Sequence, residues 1–320
     1  MVAALVTIFC LIVFFHLVDI SSVVEAVNNF KWSYLIFGLT SLGIGYCFRI
    51  YRWSIMLKST GANISFDKCI APFLGAITLN NVLPLRIGDV VRALVFPKSM
   101  GITKTDSTSS LVIERLIDLI TLLMSLAIGL YAVRIVAIPP HLLASAITMA
   151  VIGGVLLIGG FLFSHPLSKI FYGLAKKSNS SSKIYKVYET FGGLLVSFNK
   201  MSRPKVLFQM LVVSIFIWAG EAGLFYFILL GMGLNATVII ALLVMSMATI
   251  ATLVPSSPGY VGPFHLAAFT AISLVGGTSS QAGSYAIIVH LALWASTTLA
   301  GAIAIWLRPN LFSTAKSEAI

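Results

Sequence analysis

Charge is what this 320-residue sequence has least of. Lys, Arg, Asp and Glu together make up 10% of it, against 58% hydrophobic residues and a mean hydropathy of +1.00. So few charges cannot cover a globular surface of this size with polar groups, which argues against a water-soluble enzyme or binding module. Cysteine is scarce too. Cys10, Cys47 and Cys69 are odd in number and form no CxxC or Cys/His spacing, so neither a disulfide framework nor a zinc site is expected. No nucleotide-, metal- or donor-binding motif is present, no cofactor is expected, and no stretch between the apolar runs is long enough for a soluble catalytic domain. Acids are outnumbered by bases, 10 to 21, for a formal net charge of +11. The bases are scattered through short connecting segments rather than gathered with aromatics into a patch, so nucleic acid is not the expected partner.

What is present is apolar sequence in long runs. A membrane helix needs about 20 mostly apolar residues, and such runs fall near 2–18, 33–57, 108–133, 142–163, 206–230 and 283–307. This predicts six full spans of an all-α polytopic membrane protein. The first run has no basic segment before it and is followed by Asp19 and Glu25, so it reads as a helix rather than a cleaved signal. With the N-terminus inside, the outer loops 19–32 and 134–141 hold only Lys31 and Arg134. The inner segments then hold Lys58, Lys68, Lys98, Lys104, the basic loop 165–204, Arg308 and Lys316. The positive-inside rule therefore predicts both termini in the cytoplasm. Within the basic loop, "KKSNSSSK" precedes "IYKVYETFGGLLVSF", an expected amphipathic helix on the anionic inner leaflet.

Two further apolar regions are broken by Pro and Gly. Residues 70–83 would make a helix of about 21 Å, too short for a hydrocarbon core of about 30 Å, and they run into Pro84. Residues 237–276 are interrupted by "PSSPGYVGP" at 255–263. Both regions read as re-entrant or broken-helix hairpins, one entering from each side. Residues 1–134 then run span, span, hairpin, span, and residues 135–320 repeat this order upside down. Such an inverted-topology repeat within a single transmembrane domain brings broken helices together at a binding site. Residues 84–89 and 255–263 are therefore expected to approach each other.

The charges placed inside this apolar frame are the candidate site. "LPLRIGDVVRA" carries Arg86, Asp89 and Arg92 just past the Pro84 break. A charge at a helix centre costs about 2.5–3.5 kcal/mol on insertion scales, so these side chains should face protein or a polar cavity. A helix starting near Gly88 would hold Asp89 in its first turn, with Arg86 and Arg92 forming a fork of donors for a phosphate oxygen. Mutual pairing, or snorkelling to the inner interface as Arg49 and Arg52 could do, is the plainer alternative. "ERLID" adds Glu114, Arg115 and Asp118. Glu114 and Asp118 share a face and call for a cation from Arg86 or Arg92, while Arg115 can reach Asp118 at i+3. Glu221 lies in "WAGEAGLFYF", between Gly220 and Gly223, which let another helix come close. It is either a proton-coupling carboxylate or an interhelical hydrogen-bonding acid. His16 and His290 read as packing residues.

"LPLRIGDVVRA", "ERLID" and "PSSPGYVGPFH", in this order over nearly the whole chain, resemble the flippase-like family related to the transmembrane domain of lysylphosphatidylglycerol synthases. The family pattern falls on Pro84, Arg86, Gly88, Asp89 and Arg92, then on Glu114, Arg115 and Asp118, then on Pro258, Gly259 and Gly262. Asp89 replaces a more usual Glu, and His265 holds a position that is commonly acidic, which alters the charge preference of a ligand. The resemblance implies lipid handling. In the best known members the domain flips an aminoacylated phospholipid made by a fused soluble synthetase, and no stretch here has the length of one.

The expected function is thus a lipid translocase of a prokaryotic cytoplasmic membrane, not an enzyme, taking a phosphate-bearing lipid or lipid-linked headgroup, with a second copy of itself among its expected partners. Two alternatives are an accessory subunit of a separate lipid-modifying enzyme, and a membrane-embedded transferase using Glu114, Asp118, His265 and His290.

Overall fold

The computed structural model describes residues 2–18, 20–132, 140–180, 182–254 and 256–312. Asp19, Arg134, Pro255 and Lys316, and with Arg134 the boundary between the expected halves, lie outside these residues. Among them the fold is entirely helical: α1 (Val2–Leu17), α2 (Ile20–Asn28), α3 (Trp32–Ser59), α4 (Phe66–Val82), α5 (Ile87–Leu94), α6 (Phe96–Met100), α7 (Lys104–Ala132), α8 (Pro140–Lys177), α9 (Lys183–Met201), α10 (Pro204–Gly231), α11 (Val238–Ala251), α12 (Pro263–Leu274) and α13 (Ser279–Trp306).

Four helical stretches are long and apolar enough to cross a membrane: α3, residues 151–177 of α8, α10 and α13. A fifth is possible if α1 and α2, bent by 77°, count as one. The chain is an integral membrane protein. The expected span at 108–133 lies within α7, which at 29 residues is long enough but carries Glu114, Arg115 and Asp118. The amphipathic helix expected in the basic loop is α9, whose N-terminus is capped by Ser182 through a hydrogen bond from the Ile184 amide.

Lipid is as apolar as leucine, so close backbone approach and polar contacts, rather than exclusion from water, must hold membrane helices together. The principal pair, α3 and α10, follows this rule. Gly45 meets Gly220 backbone to backbone, Gly223 sits against Ser41, and the Ser41 hydroxyl donates to the Gly220 carbonyl at 3.0 Å. A Cβ on Gly220 would lie 2.6 Å from the Gly45 Cα, so α10 has no room for a larger residue there.

Both broken regions are hairpins. In the first, α4 stops where Leu83 takes an extended conformation before Pro84. The turn Pro84–Arg86 reverses the chain through two left-handed residues, Leu85 and Arg86, each an unfavourable conformation for a side-chain-bearing residue. Two features hold it. Gly88 packs so tightly on the Ala76 carbonyl that a Cβ would collide with it, and Asn80 clamps Asp89 by accepting its amide hydrogen at 3.1 Å and donating to its carboxylate at 3.0 Å. In the second, α11 leads to the turn Pro258–Tyr260, with Gly259, Tyr260 and Gly262 at positive φ, and α12 returns.

The packing crosses between hairpins. α7, which follows the first hairpin, lies on α11 of the second, with Gly129 against Leu243. α13, which follows the second hairpin, lies on α4 of the first, with Gly301 against the Leu74 carbonyl and the Thr78 hydroxyl. α5 packs on α7, α12 packs on α13, α9 joins α7, and α2 joins α13. The two hairpin tips meet, as expected from the sequence: Arg86 reaches Thr252 and lies over the Tyr260 ring, while the Trp294 indole hydrogen-bonds the Asn81 carbonyl beside Gly259.

Candidate functional site

A cavity of about 310 Å³ lies behind the meeting tips, between α3, α4, α7, α10, α11 and α13. Arg49, Arg86, Arg115, Asp118 and Glu221 supply its charge, and Tyr46, Trp218, Tyr260 and Trp294 its aromatic surface. Arg86, Gly259 and Tyr260 from the two turns line it.

The charges around it form a connected set. Arg49, stacked over the Trp218 ring at 4.6 Å, pairs with Glu221 at 2.5 Å and stands 3.8 Å from Asp118. Arg52 pairs with Asp118 at 2.8 Å and donates to the Ser214 hydroxyl at 2.8 Å. Arg115 donates to both carboxylate oxygens of Asp89, at 2.8 and 2.9 Å. Arg92 pairs with Glu114 at 3.0 Å between the Trp53 and Phe73 rings. Five arginines thus face four carboxylates. Each of these four carboxylates has an arginine within 3.0 Å, and of the five arginines Arg86 is the one without a carboxylate ion pair among the described residues.

Several expectations need correction. Arg92 does not join Arg86 in a fork. It is 1% exposed, faces the core formed by α3, α4 and α7, and is used up by Glu114, which is likewise outside the cavity. Arg115 and Asp118 do not pair at i+3. Each finds a partner on another helix, since α5 and α3 bring Asp89 and Arg52 within direct reach. Arg49 and Arg52 do not snorkel: both are ion-pair members, Arg52 buried and Arg49 partly buried on the cavity wall. The interhelical contact of Glu221 is an ion pair with Arg49, with a weaker one to the Thr249 hydroxyl at 3.3 Å.

The third motif is divided. Gly259 lines the cavity, whereas Pro258 begins the turn and Gly262 packs against Thr7 and Cys10 of α1. His265 also lies outside the cavity. It occupies the third position of α12 and its Nδ1 accepts the Gly262 amide hydrogen at 3.4 Å, the back-reaching role of a capping-box Glu or Gln. His290, read as a packing residue, lines the cavity, with its Nε2 2.7 Å from the Gly259 carbonyl. Pro84 and Leu85 line a smaller adjoining space of about 230 Å³ that Arg86 shares. Gly88 and Asp89 form the clamp between hairpin arms rather than cavity wall.

Sequence reasoning missed Asn80, Asn81, Thr252, Tyr260 and Trp294 as site residues. A signal existed for Arg49: two arginines three residues apart inside a membrane span carry the same insertion cost as the motif charges. Among the described residues no group of three His, Cys, Asp or Glu side chains could hold a metal ion.

The fold and cavity define a helical membrane protein with a charged cavity lined by the long helices and by both turns. The chain belongs to the lysylphosphatidylglycerol synthase TM region family, which it matches over residues 1–301. It is also similar to the UPF0104 membrane protein MJ1078 of Methanocaldococcus jannaschii, 24% identical over 246 residues, which cover 75% of this chain and 98% of that protein. No solved structure matches it.

Proposed function

We propose that the protein is a translocase for a phosphate-bearing lipid, or lipid-linked headgroup, in a prokaryotic cytoplasmic membrane, acting as a transporter rather than an enzyme. The observation that carries this reading is the position of Arg86, an arginine without a carboxylate partner on the wall of the cavity where both hairpin tips meet. An excess of one positive charge favours a ligand with one negative charge, and a planar guanidinium suits phosphate oxygens.

The helix packing supports an inverted repeat. Exchanging α3 with α10, α4–α5 with α11–α12, and α7 with α13 maps each contact onto another. α7 on α11 becomes α13 on α4, α5 on α7 becomes α12 on α13, and α3 on α10 becomes itself. On this reading α1 and α7 complete six spans, both termini face the cytoplasm, and the cavity is reached alternately from the two sides as the hairpins rock. On this reading Glu221, held by Arg49 of the other member of the central pair, would be the carboxylate that couples such movement to a proton.

The test is transport in vesicles. Fluorescent phosphatidylglycerol in protein-containing vesicles should exchange between leaflets faster than in empty ones, and a diacylglycerol bearing the same fluorophore should not. Equal acceleration of both, or copurification of an uncharged sterol-like lipid with wild type and Arg86→Ala alike, would overturn the reading.

A further inference from the structure

The cavity accounts for a headgroup, but a lipid also has tails, and these need an apolar path that adjoins it. On the flank of the molecule, α3, α4 and α13 frame a second space of about 360 Å³, lined almost wholly by apolar atoms. Leu39, Gly43 and Cys47 of α3, Ile70 and Leu74 of α4, and Ala300 of α13 form its walls. Two observations tie it to the charged chamber. Tyr46 and Thr297 line both spaces, so the groove and the cavity adjoin at these two side chains. Gly43 and Ala300 are exposed, and a Cβ on Gly43 would meet nothing within 4 Å, so small residues on two framing helices keep the groove open.

We infer that this groove is a binding site for a hydrocarbon chain of the lipid whose phosphate lies at Arg86, with Tyr46 and Thr297 at the boundary between headgroup and tail. The inference rests on the proposed function. Polarity divides as one amphiphile requires: arginines, Thr252 and aromatic rings line the cavity, Tyr46 and Thr297 are shared, and the rest of the groove is almost wholly apolar.

The experiment uses phosphatidylglycerol carrying a diazirine on one acyl chain, mixed into phosphatidylcholine vesicles containing the whole protein. After photolysis, crosslinked peptides are mapped by mass spectrometry. Crosslinks should concentrate at residues 39–47, 70–74 and 296–300, fall when unlabelled phosphatidylglycerol is added, and be lost in Gly43→Trp. Ala300→Trp fills the groove from the opposite wall and should act alike, so a folding defect in one variant does not decide the result. Crosslinks spread evenly over the lipid-facing helices and unchanged in both variants would overturn the tail site, and would leave the headgroup reading standing if transport still needs Arg86. Concentrated groove crosslinks with transport indifferent to Arg86→Ala would instead sink the headgroup reading alone.

Discussion

Arg86 on the tip of the first hairpin donates from Nη2 to the main-chain carbonyl of Thr252, at 3.0 Å, and to its hydroxyl, at 3.2 Å. A single side chain therefore ties the two hairpins together, and only one of its nitrogens is engaged in doing so. The other donors of the guanidinium make no hydrogen bond among the described residues, which is what the proposed anion contact requires.

Arg86→Ala should lower phosphatidylglycerol translocation by about 10- to 100-fold, the size of one charge-assisted hydrogen bond, while insertion and melting temperature change little. Arg86→Lys keeps the charge without the planar fork and should fall between. Leaflet-exchange rates in vesicles check both. A wild-type rate in Arg86→Ala would end the argument.

Leu85 and Ser257 line the same small space at the meeting tips. With Cys47, the exposed native cysteine, replaced, a Leu85→Cys, Ser257→Cys double variant should be joined by a short flexible bis-maleimide. Joining should stop transport, because alternating access requires the tips to part. Failure to crosslink in a bilayer would mean that the tips do not meet there.

Glu114→Ala leaves Arg92 as an unpaired charge in the core, and should cost about 3–5 kcal/mol of stability. The double replacement Arg92→Met, Glu114→Leu removes both charges at similar volume and should recover most of that loss. Thermal unfolding in detergent reads both variants. A double variant that is well folded yet inactive would return Arg92 to the binding site.

Gly88→Ala places a methyl group into the Ala76 carbonyl and should sharply reduce the yield of folded protein by forcing the hairpin arms apart. Gly154→Ala on α8 meets nothing within 4 Å and serves as the control, with no loss expected. Size-exclusion profiles of the two variants compare them directly.

Hydropathy and backbone chemistry are properties of contiguous residues, and for that reason the helical membrane class, both hairpins and their meeting tips were readable from sequence. Pro84 ends a helix whatever surrounds it, and Gly220 between small neighbours announces a close helix pair before the partner is known. The partner of a buried arginine is different in kind. Helical spacing offers Arg115 to Asp118 three residues on, yet Arg115 holds Asp89 and Asp118 holds Arg52, because the faces of α5 and α3 that meet α7 are set by packing of the whole bundle. The same cause left Arg92 in the core and Arg86 at the cavity, though both stand in one short motif. It also exchanged the expected places of His265 and His290: one closes a helix end through a local hydrogen bond, and the other is carried to the cavity by a helix packed from the far end of the chain.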